Sequence, residues 1–176
     1  MVSSMETLVI IPARGGSKSI PKKNIVDLCG KPLISYSIEA AKKSKYVRRI
    51  IVSTDDEEIA SVSGKFGAET PFMRPKELAE DTTPTIPVIT HALKWLEAKE
   101  GFLPEYILLL QPTEPFVRTE DIDALLELVI SKKADSGITM IKVPRIFHPY
   151  HVRMIDEEGY LQFAEPEMHY KHPNRQ

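Results

Sequence analysis

Apolar residues in this chain fall into short unbroken runs, separated by longer stretches where they recur every three or four positions. Leu8-Val9-Ile10-Ile11 is one such run and ends at Pro12; Arg49-Ile50-Ile51-Val52-Ser53 and Tyr106 to Leu110 repeat the pattern. Compact, β-branched runs without polar alternation predict strands buried on both faces. Between them, Leu33, Ile34, Ser37, Ile38 and Ala41 share one helical face, and Pro32 stands before the first turn, where its missing N–H is harmless. Asp56 to Phe66 predicts a short helix whose acidic start suits the helix dipole, with Asp55 expected as its cap. A brief strand from Thr70 to Met73 and a polar loop from Arg74 to Pro84 follow. The clearest helix comes next, with Ile86, Ile89, Leu93, Trp95 and Leu96 on its apolar side and Pro87 tolerable in its first turn. Thr119 to Lys132 predicts another helix, carrying Ile122, Leu125, Leu126 and Val129, and Ser136 to Val143 a further strand.

This β-α-β-α order predicts an α/β fold: a three-layer, mainly parallel sheet covered by helices on both faces. The pattern changes after Pro144, so the expected division is a domain of residues 1–144 and an extension of residues 145–176. Within the extension, Val152 to Ile155 and Tyr160 to Phe163 flank Asp156-Glu157-Glu158-Gly159, which predicts a protruding hairpin. Val152, Ile155, Leu161 and Phe163 have little local core to bury them, and a monomer would leave that face wet, so a homodimer is expected.

Composition narrows the function classes. With 176 residues and 42% hydrophobic positions, there is room for one full domain and a short appendage. The 23 basic residues against 25 acidic ones give no electrostatic argument for nucleic acid or membrane binding. No apolar run approaches the roughly 20 residues of a membrane helix, and the first residues lack the basic and apolar regions of a signal peptide. Cys29 is the single cysteine, expected to be a small buried residue, and it can form no internal disulfide. A cytoplasmic protein is expected.

The candidate chemistry begins in the loop after the first strand, where an open α/β sheet binds its ligands. Gly15-Gly16 allows a tight turn that can aim N–H groups at an anion. Arg14, Lys18, Lys22 and Lys23 add four positive charges and Ser17 a hydroxyl, a cradle on the scale of a triphosphate. Neither a P-loop nor a G-x-G-x-x-G fingerprint is present: Gly30-Lys31 is followed by Pro32.

Arg14-Gly15-Gly16-Ser17-Lys18-x-Ile20-Pro21-x-Lys23-Asn24 resembles the signature of the acylneuraminate cytidylyltransferases, the CMP-sialic acid synthetases. Three more blocks match in order: Ile51-Val52-Ser53-Thr54-Asp55, Arg74-Pro75-x-Glu77-Leu78-Ala79-x-Asp81-Thr82, and Leu109-Leu110-Gln111-Pro112-Thr113-x-Pro115. Arg175-Gln176 looks like the start of a fifth. The resemblance implies a nucleotidyltransferase-like fold whose hairpin extension serves dimerisation. It also implies an enzyme that transfers CMP from CTP to the anomeric hydroxyl of a nine-carbon sugar acid and releases pyrophosphate. By the family pattern Arg14, Gly15, Ser17, Lys18 and Lys23 would hold the triphosphate, and Asn24, Arg74, Thr83 and Thr85 the ribose and base. Gln111, His151 and Arg175 would meet the sugar acid, with Arg14, Lys18 and Arg175 the catalytic set. Asp81 would brace the base-binding segment.

Some positions depart from that pattern. Ser19 stands where the family usually has Gly, and Glu114 where it has Ser, as in the related Kdo cytidylyltransferases. His151 lies where several bacterial sialic acid enzymes carry Lys. Family members continue into a stretch with an Asp-x-Asp motif, so the main Mg2+ ligands are expected past Gln176. The alternatives are therefore a nucleotidyltransferase for Kdo or a sugar phosphate, and a non-catalytic nucleotide-binding remnant. His91 is expected to be structural, and His148, His151, His169 and His172 fit no zinc spacing.

Overall fold

Four consecutive residues, Leu8 to Ile11, have no solvent exposure at all, because their strand runs through the middle of the sheet with helices on both sides. The chain is seen here as a computed structural model, in which residues 7–142, 144 and 153–163 are described. Its elements run β1 (Thr7–Pro12), β2 (Asp27–Leu28), β3 (Lys31–Pro32), α1 (Leu33–Lys42), β4 (Val47–Ser53), α2 (Glu57–Phe66), α3 (Thr85–Glu100), β5 (Tyr106–Leu109), α4 (Thr119–Lys132), β6 (Arg153–Ile155) and β7 (Leu161–Phe163). Short 3-10 turns cover Lys23–Ile25 and Lys76–Leu78.

The central sheet is parallel, in the order β4-β1-β5, with Val9 opposite Ile50 on one side and Leu108 on the other. Strand alternation then sorts the core into two layers. Val9, Ile11, Ile50, Val52 and Leu108 face α1, α2 and α4 through Ile34, Ile38, Ile59, Ile122 and Leu126. Leu8, Ile10 and Ile51 face the other way, against Phe72 and the α3 residues Ala92 and Leu96. The α/β expectation, a parallel sheet between helical layers, is borne out.

Three local readings are corrected. Thr70 to Met73 is not a continuous strand: Glu69 bridges to Ile51 and Met73 to Thr54, with Pro71 between them and no N–H there to carry the ladder. Residues 136–142 form no strand; Ile138, Met140 and Ile141 stand exposed, so β-branched composition is present without a pairing partner to use it. Cys29 is exposed, not buried. It sits at φ 53° beside Gly30 at φ 86°, the two residues that turn β2 into β3, where the left-handed backbone conformation that a tight hairpin turn requires decides the position.

The chain divides into two compact units, Met1–Gly137 and Ile138–Gln176. Within the second, β6 and β7 pair antiparallel with Ile155 opposite Leu161. Asp156 organises the turn: its Oδ1 accepts from the Glu158 and Tyr160 N–H groups, and its Oδ2 from Gln162 Nε2 at 2.9 Å. Met154, Ile155 and Leu161 are exposed, while Val152 lies outside the described residues.

Candidate functional site

The strands β1 and β4 end together, and the loop that leaves β1 is pinned as it starts. Ala13 N–H donates to the Ser53 carbonyl at 2.9 Å, and Gly15 N–H to Asp55 Oδ1 at 2.9 Å. Asn24 is buried and returns to the same loop, its Nδ2 donating to the Arg14 carbonyl at 2.8 Å. A Cβ on Gly15 would lie 2.8 Å from Asp56 Oδ2 and 2.9 Å from Asp56 Cβ, so only glycine lets the loop pass this close to the start of α2. Asp56, not Asp55, caps that helix, with its Oδ1 accepting from the Glu58 and Ile59 N–H groups. Asp55 is instead the tether of the glycine loop. One of the two N–H groups expected to face an anion is therefore already engaged.

Arg74 reaches the site along the outer edge of β4, directly after the bridge between Met73 and Thr54. Its N–H donates to the Thr54 carbonyl at 2.7 Å, and its guanidinium donates to the Ser53 carbonyl, to Ser53 Oγ at 3.2 Å and to the Leu78 carbonyl at 3.3 Å. Arg74 is only 6% exposed and has no carboxylate at ion-pair distance among the described residues. Burial pushes its pKa down from the ordinary value; Asp55 opposes that and the Arg14 charge adds to it. A guanidinium stays protonated through such a shift, so this is a fixed, desolvated positive charge.

The result is an open cleft of about 370 Å³ at the carboxyl ends of the strands. Of the sequence candidates, Arg14, Ser17, Lys23, Asn24, Arg74, Thr83, Thr85 and Gln111 line it. Lys18 is at the rim, 85% exposed, and reaches across to Asp81. Lys22 departs from the expected cradle: at φ 50° it turns to pair with Glu58 of α2. His151 and Arg175 lie outside the described residues. His91 packs edge-on against Phe72, ring centres 4.9 Å apart.

Asp81 is the residue whose place the motif did not convey. Its two carboxylate oxygens pair separately with Arg14 and Lys18. Those hydrogen bonds, Lys18 first, hold its carboxyl below the usual range. Ser53 was likewise not singled out, although its block was quoted; only the fold brings Arg74 onto it. Among the described residues no three His, Cys, Asp or Glu side chains gather to hold a metal, and Asp55, Asp56 and Asp81 each have the partners just given.

Comparison with known proteins places these features in a family. The family model described as Cytidylyltransferase matches residues 8–164. The chain is 41% identical to the pseudaminic acid cytidylyltransferase of Campylobacter jejuni, over 74% of this chain and 56% of that protein. It is 38% identical to the CMP-N,N'-diacetyllegionaminic acid synthase of Legionella pneumophila, over 93% of this chain and 68% of that protein. Among solved structures it is similar to a CMP:2-keto-3-deoxy-manno-octonic acid synthetase complexed with CTP. That likeness has a TM-score of 0.61 and 26% identity, and covers 73% of this chain and 49% of that one. The chain thus spans between about half and two thirds of the proteins it matches.

Proposed function

Because the chain belongs to the cytidylyltransferase family, we propose that it transfers CMP from CTP to the anomeric hydroxyl of a sialic-type, nine-carbon sugar acid. In that displacement a bond forms between the anomeric oxygen and the α-phosphorus as the bond to the β-phosphate oxygen breaks. The hydroxyl proton leaves the sugar, and the electron pair departs with pyrophosphate. The carrying observation is the convergence of Arg14, Lys23 and Arg74 with Thr83, Thr85 and Gln111 in one cleft at the carboxyl ends of the strands.

The chain's own residues would act by placement and charge. Arg14, Lys18 and Lys23 offset the charge that builds on the leaving phosphates, and charge-assisted contacts of this kind are the strong ones. Ser17 donates to a phosphate oxygen. Arg74 cannot swing, so it fixes the ribose and base end beside Asn24, Thr83 and Thr85. Gln111 faces the acceptor, and in this reading Arg175 and His151 complete that side from outside the described residues. Mg2+ belongs to the proposal as a cofactor that would offset the charge on the phosphates when bound. A homodimer built on the exposed apolar hairpin residues and a cytoplasmic setting belong to it as well.

Glu114, exposed in the turn after Gln111, and the likeness to a CMP-Kdo-type synthetase support an eight-carbon acceptor as the second reading. Pyrophosphate release from CTP and Mg2+ with a panel of sialic, pseudaminic, legionaminic and Kdo acids separates the two. Release with a nine-carbon acid is expected. CTP binding without release for any acid would leave a nucleotide-binding piece in place of an enzyme.

A further inference from the structure

Two of the cleft's cations are already occupied, and by another residue of its lining. Asp81 sets one carboxylate oxygen on Arg14 and the other on Lys18, so one anion spans both, as two oxygens of a phosphate would. It is carried by a segment held by short-range hydrogen bonds, Ala79 N–H to the Lys76 carbonyl at 2.9 Å and Thr83 N–H to the Glu80 carbonyl at 3.2 Å, and moored through the Leu78 carbonyl to the Arg74 guanidinium at 3.3 Å. The Lys18 side chain is 85% exposed and those of Asp81 and Arg14 34% each, so the Lys18 pair sits in water and the Arg14 pair is half-covered, and partly solvated pairs of this kind are weak and exchange readily. Lys23, in the same cleft, has no carboxylate partner among the described residues.

From this geometry we infer that Asp81 is a built-in competitor for the polyphosphate: it holds Arg14 and Lys18 in the empty cleft, yields them when a triphosphate enters, and retakes them as the phosphates leave. The inference rests on the nucleotide reading of the cleft. Its consequence is a threshold. A single carboxylate is outcompeted by a ligand that brings several charged oxygens at once, and much less by one that brings few. The same return contact speeds the loss of a spent polyphosphate from the two cations.

Calorimetry with CTP and with inorganic tripolyphosphate, on the full chain and on Asp81→Asn, tests this, with equal melting temperatures as the check on folding. Removing two partly solvated competing pairs predicts binding tighter by roughly three- to thirtyfold for both ligands. In a double-mutant cycle, Lys18→Met costs more affinity in the Asp81→Asn background than in the native chain, where losing the Asp81 pair offsets part of the gain. Equal or weaker tripolyphosphate binding by Asp81→Asn overturns the inference and leaves Asp81 as a brace. So does an absence of tripolyphosphate binding by both forms. Tripolyphosphate tightened by Asp81→Asn while CTP binds neither form keeps the competitor and removes the nucleotide reading.

Discussion

The cleft has two positively charged sides that are built in opposite ways. Arg74 is almost fully buried, and its backbone and guanidinium together are tied to Ser53, Thr54 and Leu78. Lys18 is almost fully exposed, and among the described residues its ion-pair partner is Asp81. A guanidinium locked by neutral acceptors presents its charge in one orientation at no further ordering cost when a ligand arrives. A lysine on an exposed loop supplies charge wherever the ligand needs it and must be ordered each time. The first side determines where a ligand sits, and the second how strongly its charge is met.

The sharpest break of that contrast is Arg74→Ala. It removes three guanidinium bonds, leaving the buried Ser53 Oγ without the Arg74 donor and the Ser53 carbonyl with the Ala13 N–H alone, which costs on the order of 2–4 kcal/mol of stability together with ligand binding. Denaturant unfolding measures the first and CTP titration the second. Arg74→Lys does not restore them, because one ammonium cannot span Ser53 and Leu78. An unchanged unfolding midpoint would end the description of this side as structural.

Lys18→Ala is the counterpart with the next largest effect. Its unfolding curve superimposes on that of the native chain, while turnover at subsaturating CTP falls by roughly tenfold to a hundredfold, the loss of one charge-assisted phosphate contact. Loss of stability comparable to that of Arg74→Ala would erase the distinction between the two sides.

Gly15→Ala probes the seam between them. The new Cβ meets Asp56, so the loop shifts or the cap of α2 opens, at about 1–2 kcal/mol. Asp56→Ala alone costs about 1 kcal/mol. Because both act on one contact, the double variant costs less than the sum, and strict additivity in denaturation would disprove the shared contact.

How much of this was legible in sequence follows the same division. Buried strands announce themselves: Leu8 to Ile11 and Ile50 to Val52 are apolar because both faces are covered, and α4 follows from its spacing, whereas α3 forms where expected but buries Val88, Ala92 and Leu96 and leaves Ile86 exposed. The loop charges were legible as charges but not as partners. Lys22 turning to Glu58, Asp56 capping α2 in place of Asp55, and Asp81 reaching Arg14 and Lys18 all depend on which backbone angles the loops adopt. Pairs separated by tens of residues, each weak and exposed, leave no periodic trace. Ser136 to Val143 failed for the complementary reason: β-branched composition speaks for propensity, while a strand is defined by its neighbour. Cys29 failed because a two-residue hairpin turn overrode the usual burial of cysteine.

The smallest expected effect lies behind the stiff side and reports on its charge. His91, on α3, packs against Phe72, and burial holds its pKa below the ordinary 6.5; the positive charge of Arg74 adds to this, while Glu77 works against it. A histidine with a depressed folded-state value binds fewer protons folded than unfolded. Its contribution to stability is therefore complete above the unfolded value of about 6.5 and is lost as pH falls from there through the lower folded value. The unfolding midpoint of the native chain is expected to drop between about pH 7 and pH 5, and His91→Gln to flatten part of that drop. Taking the charge of Arg74 away should flatten it too, since it removes one cause of the depression. If His91→Gln leaves the pH profile unchanged, His91 has no depressed value in the folded chain, and neither its burial nor the Arg74 charge acts on its titration.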